Sequence, residues 1–233
     1  MAIKTFKRYE LKYMLNEAQY NAVVAALADK ATPDAYCVNG QKYGLYNFYC
    51  DTENFDVARH SVSKPVFKQK LRIRSYLPDP ADGDKVFVEL KKKYDGCVNK
   101  RRAVMSFADA KKLLHTGRLD RTGDYMTDQV ITELEKYIDI FPVTPRVYVS
   151  YQRSAYFLNE DSKIRITFDT DVRAGYIGQQ TKPLVPEGIY LMEIKITDKI
   201  PLWLVHVLAE NKIYRHGFSK YGTFYEKYIL KKG

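Results

Sequence analysis

The stretch KLRIRSY carries Lys70, Arg72 and Arg74 at alternate positions, with Leu71 and Ile73 between them. That spacing puts the cations on one face of a β-strand and the aliphatic side chains on the other. The pattern recurs along the chain. RYELKY sets Arg8, Glu10 and Lys12 against Tyr9, Leu11 and Tyr13; VFVELKKK sets Glu89, Lys91 and Lys93 against Val88, Leu90 and Lys92; NKRR offers Lys100 and Arg102. Farther on, YQRSAY offers Tyr151 and Arg153, and KIRITFDTD sets Lys163, Arg165, Thr167, Asp169 and Asp171 against Ile164, Ile166 and Phe168. YLMEIKI sets Glu193 and Lys195 against Met192, Ile194 and Ile196. A plain solvated face mixes both signs with Ser, Thr and Gln, whereas here cations outnumber acids. Like charges a few ångströms apart cost roughly 1 kcal/mol even in a water-like dielectric, so such a face calls for a compensating anion. Arg and Lys donors from many strands suit the oxygens of a phosphate chain. The few carboxylates among them point to a divalent metal, with Glu193 the strongest candidate ligand. Glu10 and Glu89 could instead position neighbouring lysines through salt bridges.

Eight strands must present these faces, at about 5–14, 43–51, 66–76, 85–94, 98–106, 145–156, 163–172 and 188–197. Pro78, Pro80 and Asp82-Gly83 separate the third from the fourth, and Asp95-Gly96 the fourth from the fifth, which reads as antiparallel hairpins. Helices fill the longer gaps. One spans 16–29, opened by a capping-box-like pair, Asn16 and Gln19; others follow Ser106, span 125–139, and start at Pro201. Tyr221, Phe224, Tyr225 and Tyr228 recur at i, i+3, i+4 and i+7, a helix face to be packed on the sheet. If the sheet closes, the charged faces point inward around a lumen and helices cover the apolar outside. The expected fold is therefore α+β: an eight-stranded antiparallel β tunnel, closed or nearly closed, with a charged lumen, in a single domain over residues 1–233.

The composition agrees with an acidic partner: 38 Lys plus Arg against 28 Asp plus Glu among 233 residues leave a net charge of +10. The longest apolar run, Ala22 to Ala28, falls far short of the roughly 20 residues that a membrane span needs. The first residues hold no apolar segment followed by a cleavage site, so a cytoplasmic location is expected. Cys37, Cys50 and Cys97 suit neither a disulfide framework nor a zinc site and read as inert thiols. No GxxxxGK[ST], GxGxxG or HExxH motif is present, and no RNP, helix-turn-helix or zinc pattern supports nucleic-acid binding. His206 reads as a packed helix residue and His60 as a surface residue in the loop before the third strand.

RYELKY, YCDT, KLRIRSY, VELKKK followed by NKRR, YQRSAY, IRITFDTDV, LMEIKI and SKYG, in this order over about residues 5 to 230, resemble the VTC domain, a family of the triphosphate tunnel metalloenzymes. The resemblance implies polyphosphate synthesis from ATP with Mn²⁺ or Mg²⁺. It carries substrate binding onto Lys12, Arg72, Arg74, Lys91, Lys100, Tyr151, Arg153, Arg165, Ser219 and Lys220, and metal binding onto Glu193; Lys195 follows by strand parity. Lys91, Arg74 and Lys195 are the expected catalytic residues. Triphosphatase and CYTH relatives begin with ExExK, whereas this chain has Arg8 at the first position, which favours the polymerase-like branch. The family also tends to place a basic residue shortly before the Ser-Lys pair; RHGFSK brings Arg215 or His216 only near it. A tunnel triphosphatase and a non-catalytic polyphosphate or nucleotide binder are the alternatives. The implied partners are ATP or triphosphate and polyphosphate, with no membrane segment in the chain itself and a membrane partner possible.

Overall fold

The computed structural model describes residues 9–37 and 40–232; Arg8 and the start of the first expected strand lie outside them. In chain order the strands are β1 (Tyr9–Leu15), β2 (Ala31–Pro33), β3 (Tyr43–Asp51), β4 (Phe67–Ser75), β5 (Lys85–Tyr94), β6 (Cys97–Ser106), β7 (Thr144–Leu158), β8 (Arg165–Tyr176), β9 (Lys182–Pro183) and β10 (Tyr190–Ile196). The helices are α1 (Glu17–Leu27), α2 (Asp56–Val62), α3 (Phe107–Thr116), α4 (Tyr125–Ile140), α5 (Leu202–Glu210) and α6 (Lys220–Phe224), the last continued by a π-turn over Tyr225–Ile229. Hydrogen bonds link the strands in the order β1-β10-β8-β7-β3-β4-β5-β6, with β2 added to β7 and β9 to β8. The fold is thus α+β with a large antiparallel sheet of ten strands rather than eight. Among the described residues no ladder joins β1 to β6, so hydrogen bonding does not close the sheet.

The chain divides into two compact units: one of residues 1–43, 151–172 and 183–219, the other of 44–150, 173–182 and 220–233. In the first, the apolar faces of β1, β8 and β10 supply Leu11, Tyr13, Leu15, Ile166, Phe168, Ile194 and Ile196, and the helices α1 and α5 cover them with Val23, Leu27, Leu204 and Leu208. Tyr20 of α1 stacks on Tyr190 with centroids 3.9 Å apart and meets Phe168 edge-on. Asn16 caps α1 as its spacing predicts, in a full capping box with Gln19. In the second unit Leu71, Ile73, Val86, Val88 and Leu90 of β4 and β5 pack under Ala110 and Leu113 of α3 and Ile131, Leu134 and Ile138 of α4. Each fully buried aliphatic side chain contributes roughly 1.5–3 kcal/mol, so the apolar face of each strand is committed to its helices and the charged face is left for another task.

Several elements depart from the expectation for local reasons. The short α2 was not predicted, because DVARHSV is too short to show a helical period, and it places His60 in a helix rather than a loop. Its N-cap, Phe55, is left-handed and brings no side-chain cap. In β8 Asp171 takes a positive φ of 48° and is exposed, while the buried Val172 and Ala174 keep the parity of Ile166 and Phe168. Lys163 precedes β8 and is exposed. His206 is exposed on α5 rather than packed. The hairpin β5–β6 turns on Asp95 (φ 42°) and Gly96 (φ 78°), the backbone of a type I′ turn, between the paired Tyr94 and Cys97. Among the described residues no helix is long and apolar enough to cross a membrane.

Candidate phosphate-binding site

In the second unit β4, β5 and β6 run side by side with Lys70, Lys91 and Lys100 opposite one another, and Arg72, Glu89 and Arg102 opposite one another in the next row. Cross-strand like charges repel, and the carboxylate of Glu89 answers part of this concentration. Glu89, 1% exposed, accepts at Oε2 from Arg72 Nε (3.0 Å) and Nη2, and at Oε1 from Lys100 Nζ (2.8 Å), with Arg74 Nε 3.9 Å away. Burial alone would push this carboxyl up; the charges of Arg72, Arg74 and Lys100 outweigh it and hold the group far below the ordinary carboxylate range. Burial lowers the Lys100 ammonium, and the ion pair with Glu89 returns only part of that. Glu89 therefore does what its position among lysines suggested, positioning three cations at once.

Neighbouring strands fix the arginines further. Arg74 Nε donates to Asn47 Oδ1 (3.0 Å), and the buried Asn47 amide donates in turn to the Val149 carbonyl (3.1 Å). Arg72 Nη1 donates to the Tyr49 hydroxyl at 3.3 Å. Tyr49 stacks on Tyr221 (4.9 Å), over whose ring the Lys70 ammonium also lies, 5.5 Å from the centroid. Tyr221 is locked by its hydroxyl, which donates to Asp51 Oδ2. Asp51 is buried and accepts as well from the backbone N–H of Thr52, Val57 and Ala58 at 2.8–2.9 Å, which ties the start of α2 to the start of α6. Lys220, adjacent to Tyr221, is thereby held at the head of α6. The anchoring role of Asp51 was not foreseen: YCDT shows a lone carboxylate, and nothing in its spacing reveals four donors.

The first unit carries a different balance. Lys12, Glu193 and Thr167 lie opposite one another on β1, β10 and β8, as do Glu10, Lys195 and Arg165. Lys195 Nζ stands 3.0 Å from Glu193 Oε1, and Lys12 Nζ 3.8 Å from Oε2. Lys12 also donates to the Phe218 carbonyl (2.9 Å), and the His216 N–H donates to the Lys12 carbonyl (2.8 Å). Arg215 bridges Tyr13. The segment before the Ser-Lys pair thus runs against β1, and Ser219 follows it, exposed. Arg215 and His216 are exposed too, so neither supplies a buried basic group there.

Two more of the expected phosphate ligands are paired with carboxylates. Arg153, buried beside Tyr151, gives Nε and Nη2 to Asp169 at 2.6 and 2.8 Å. Burial would depress this guanidinium, but Asp169 holds it charged, well above its usual range. Arg165 pairs with Asp34, a residue the strand pattern did not single out, and donates to the Tyr43 hydroxyl at 3.1 Å. Cys37 and Cys50 are buried with their thiols pushed up by desolvation, and all three cysteines are free.

Among the described residues no cluster of three His, Cys, Asp or Glu side chains could hold a metal ion. The donor set fits one mode of binding: Mg²⁺ and Mn²⁺ are often taken by one or two carboxylates, with substrate phosphates and water completing the shell. Glu193, the carboxylate expected in that role, faces the Lys195 ammonium at Oε1 and the Lys12 ammonium at Oε2.

The family profile described as VTC domain matches residues 7–229. No curated protein matches the chain in sequence. Among solved structures, a Bacillus halodurans protein provisionally described as an adenylate cyclase is similar over 96% of this chain and 99% of its own, with a TM-score of 0.53 and 15% identity, a likeness of fold. A Vibrio parahaemolyticus protein given the same provisional description covers 91% and 94% at 12% identity, with a TM-score of 0.47. With the profile running from β1 through the turn that follows α6, the chain belongs to the VTC domain family.

Proposed function

We propose that this protein is a triphosphate tunnel enzyme that transfers the γ-phosphoryl group of ATP to the end of a polyphosphate chain. A terminal oxygen of the polymer attacks the γ-phosphorus, the bond to the β,γ-bridging oxygen breaks, and ADP leaves with that oxygen. Family membership supports triphosphate as the substrate class. The observation that carries the reading is that three adjacent strands bring Lys70, Arg72, Arg74, Lys91, Lys100 and Arg102 onto one face with Glu89 clamped among them, a set of donors that the oxygens of a phosphate chain would use.

In this mechanism phosphoryl transfer needs positioning and charge neutralisation rather than covalent help. Arg74, fixed by Asn47, and Lys91 neutralise the phosphates so that a second anion can approach, and Lys195 acts in the same way beside Glu193. Lys12, Arg72, Lys100, Tyr151, Arg153, Arg165, Ser219 and Lys220 complete substrate binding. Mn²⁺ or Mg²⁺ held by Glu193 would offset charge on the phosphate oxygens in the transition state.

The test incubates the purified protein with ATP and Mn²⁺ and resolves ADP, free phosphate and polymer, with Glu193→Ala alongside. Polymer and ADP, both lost in Glu193→Ala, are expected; Arg74→Ala and Lys91→Ala are expected to weaken triphosphate binding. Free phosphate without polymer would replace this reading with a triphosphatase, and ATP binding without turnover would replace it with a binding module. Wild-type activity in all three variants would refute the assigned residues.

A further inference from the structure

Thr167 lies on the charged face of β8, between Arg165 and Asp169, while its neighbours Ile166 and Phe168 enter the core. It stands directly opposite Glu193 on β10, which in turn faces Lys12 on β1, and side chains paired in this way are roughly 5 Å apart at Cβ. The residue is 0% exposed, and its hydroxyl oxygen is buried with no hydrogen-bond partner. The carboxylates nearest to it are turned to cations, Glu193 to Lys195 and Lys12, and Asp169 to Arg153. A buried hydroxyl without a partner costs stability, and native interiors keep few of them. Valine has the same outline, no hydroxyl to strand and a strong preference for strands, so packing does not account for threonine here.

We propose, resting on the triphosphate reading above, that Thr167 is a further substrate ligand whose hydroxyl donates to an oxygen of the bound triphosphate. What this row lacks is an acceptor. Lys12, Lys195 and Arg165 supply charge, whereas the hydroxyl supplies a donor of restricted direction, because a β-branched side chain is stiff at χ1. Phosphate oxygens accept from several such donors at once. Lys195 and Arg165 are longer than Thr167 and partly exposed, so a phosphate that draws both cations to itself uncovers the shorter side chain between them.

The experiment titrates inorganic tripolyphosphate into the full chain by calorimetry, once with EDTA and once with Mn²⁺, for wild type, Thr167→Val and Thr167→Ser, and records thermal melts of the unliganded proteins. A hydrogen bond to a charged group is worth roughly ten- to a hundredfold in affinity, so Thr167→Val should bind that much more weakly in EDTA. Thr167→Ser keeps the hydroxyl and should stay within about threefold of wild type. Unliganded Thr167→Val should melt no lower than wild type, because it leaves no group unpaired. Wild-type affinity in Thr167→Val would overturn the proposal while the triphosphate reading stands. A loss of affinity confined to Mn²⁺ would overturn it by placing the hydroxyl on the metal, and a lowered melt of unliganded Thr167→Val by giving the hydroxyl a partner within the fold. No binding of tripolyphosphate by the wild type would overturn the triphosphate reading and this proposal with it.

Discussion

Replacing Glu89 with Gln removes the negative charge that faces Arg72, Arg74 and Lys100 while keeping the shape of the side chain. Breaking a fully buried ion pair by deleting one partner costs about 3–5 kcal/mol. Here Glu89 is 1% exposed, but Arg72 and Arg74 keep 16% and 13% of their side-chain surface and Lys100 keeps 39%, so solvent takes up part of the orphaned charge. A loss of about 2–3 kcal/mol follows, a fall in Tm of about 5–10 °C for a chain of this size. The pH dependence has a definite sign. A carboxyl held below its unfolded value contributes stability that is present above that value, about 4.3, and is lost as pH falls below it, at up to about 1.4 kcal/mol per pH unit. Wild-type protein should therefore lose stability more steeply below pH ~4 than Glu89→Gln. Inorganic tripolyphosphate supplies the missing charge: at a hundred times its Kd a ligand adds about 2.7 kcal/mol, and the variant, with one more net positive charge, should gain more than the wild type. Thermal melts with and without tripolyphosphate between pH 3 and 8 read all three effects. An unchanged Tm, or an equal gain from tripolyphosphate in both proteins, would refute the role given to Glu89.

Other substitutions test the supports of the two clusters. Asp169→Ala strands the buried Arg153 and should cost about 3–5 kcal/mol in urea unfolding, whereas Arg153→Met with Asp169→Leu should recover most of that loss. Tyr221→Phe removes one of four donors to Asp51 and should cost about 1–2 kcal/mol in the same assay. Asn16→Ala opens the capping box of α1 and should lower stability by about 1 kcal/mol.

The strands that carry the charged face were legible because two periods coincide in them. In KLRIRSY and YLMEIKI Leu71, Ile73, Met192, Ile194 and Ile196 enter a core and each charged residue avoids it, so alternation reports both strand and face. β2 and β9 escaped because three and two residues cannot show a period. Long-range pairing was less visible. Lys12, Arg72, Arg74, Lys100 and Glu193 could be recognised as a charged set, but that Glu89 clamps three of them depends on register between strands. Asp34, Asn47 and Asp51 hold partners 131, 27 and 170 residues away and bear no local mark of it.

The row of Lys70, Lys91 and Lys100 crosses three strands at the sheet's own pitch of about 4.8 Å, so it is written by alignment rather than by composition. Its reading frame is kept by the two residues Asp95 and Gly96. One residue inserted there would leave every lysine in the chain and turn Lys100 to the opposite face, towards the helices. The length of that turn thus holds information that the residue content of β5 and β6 does not.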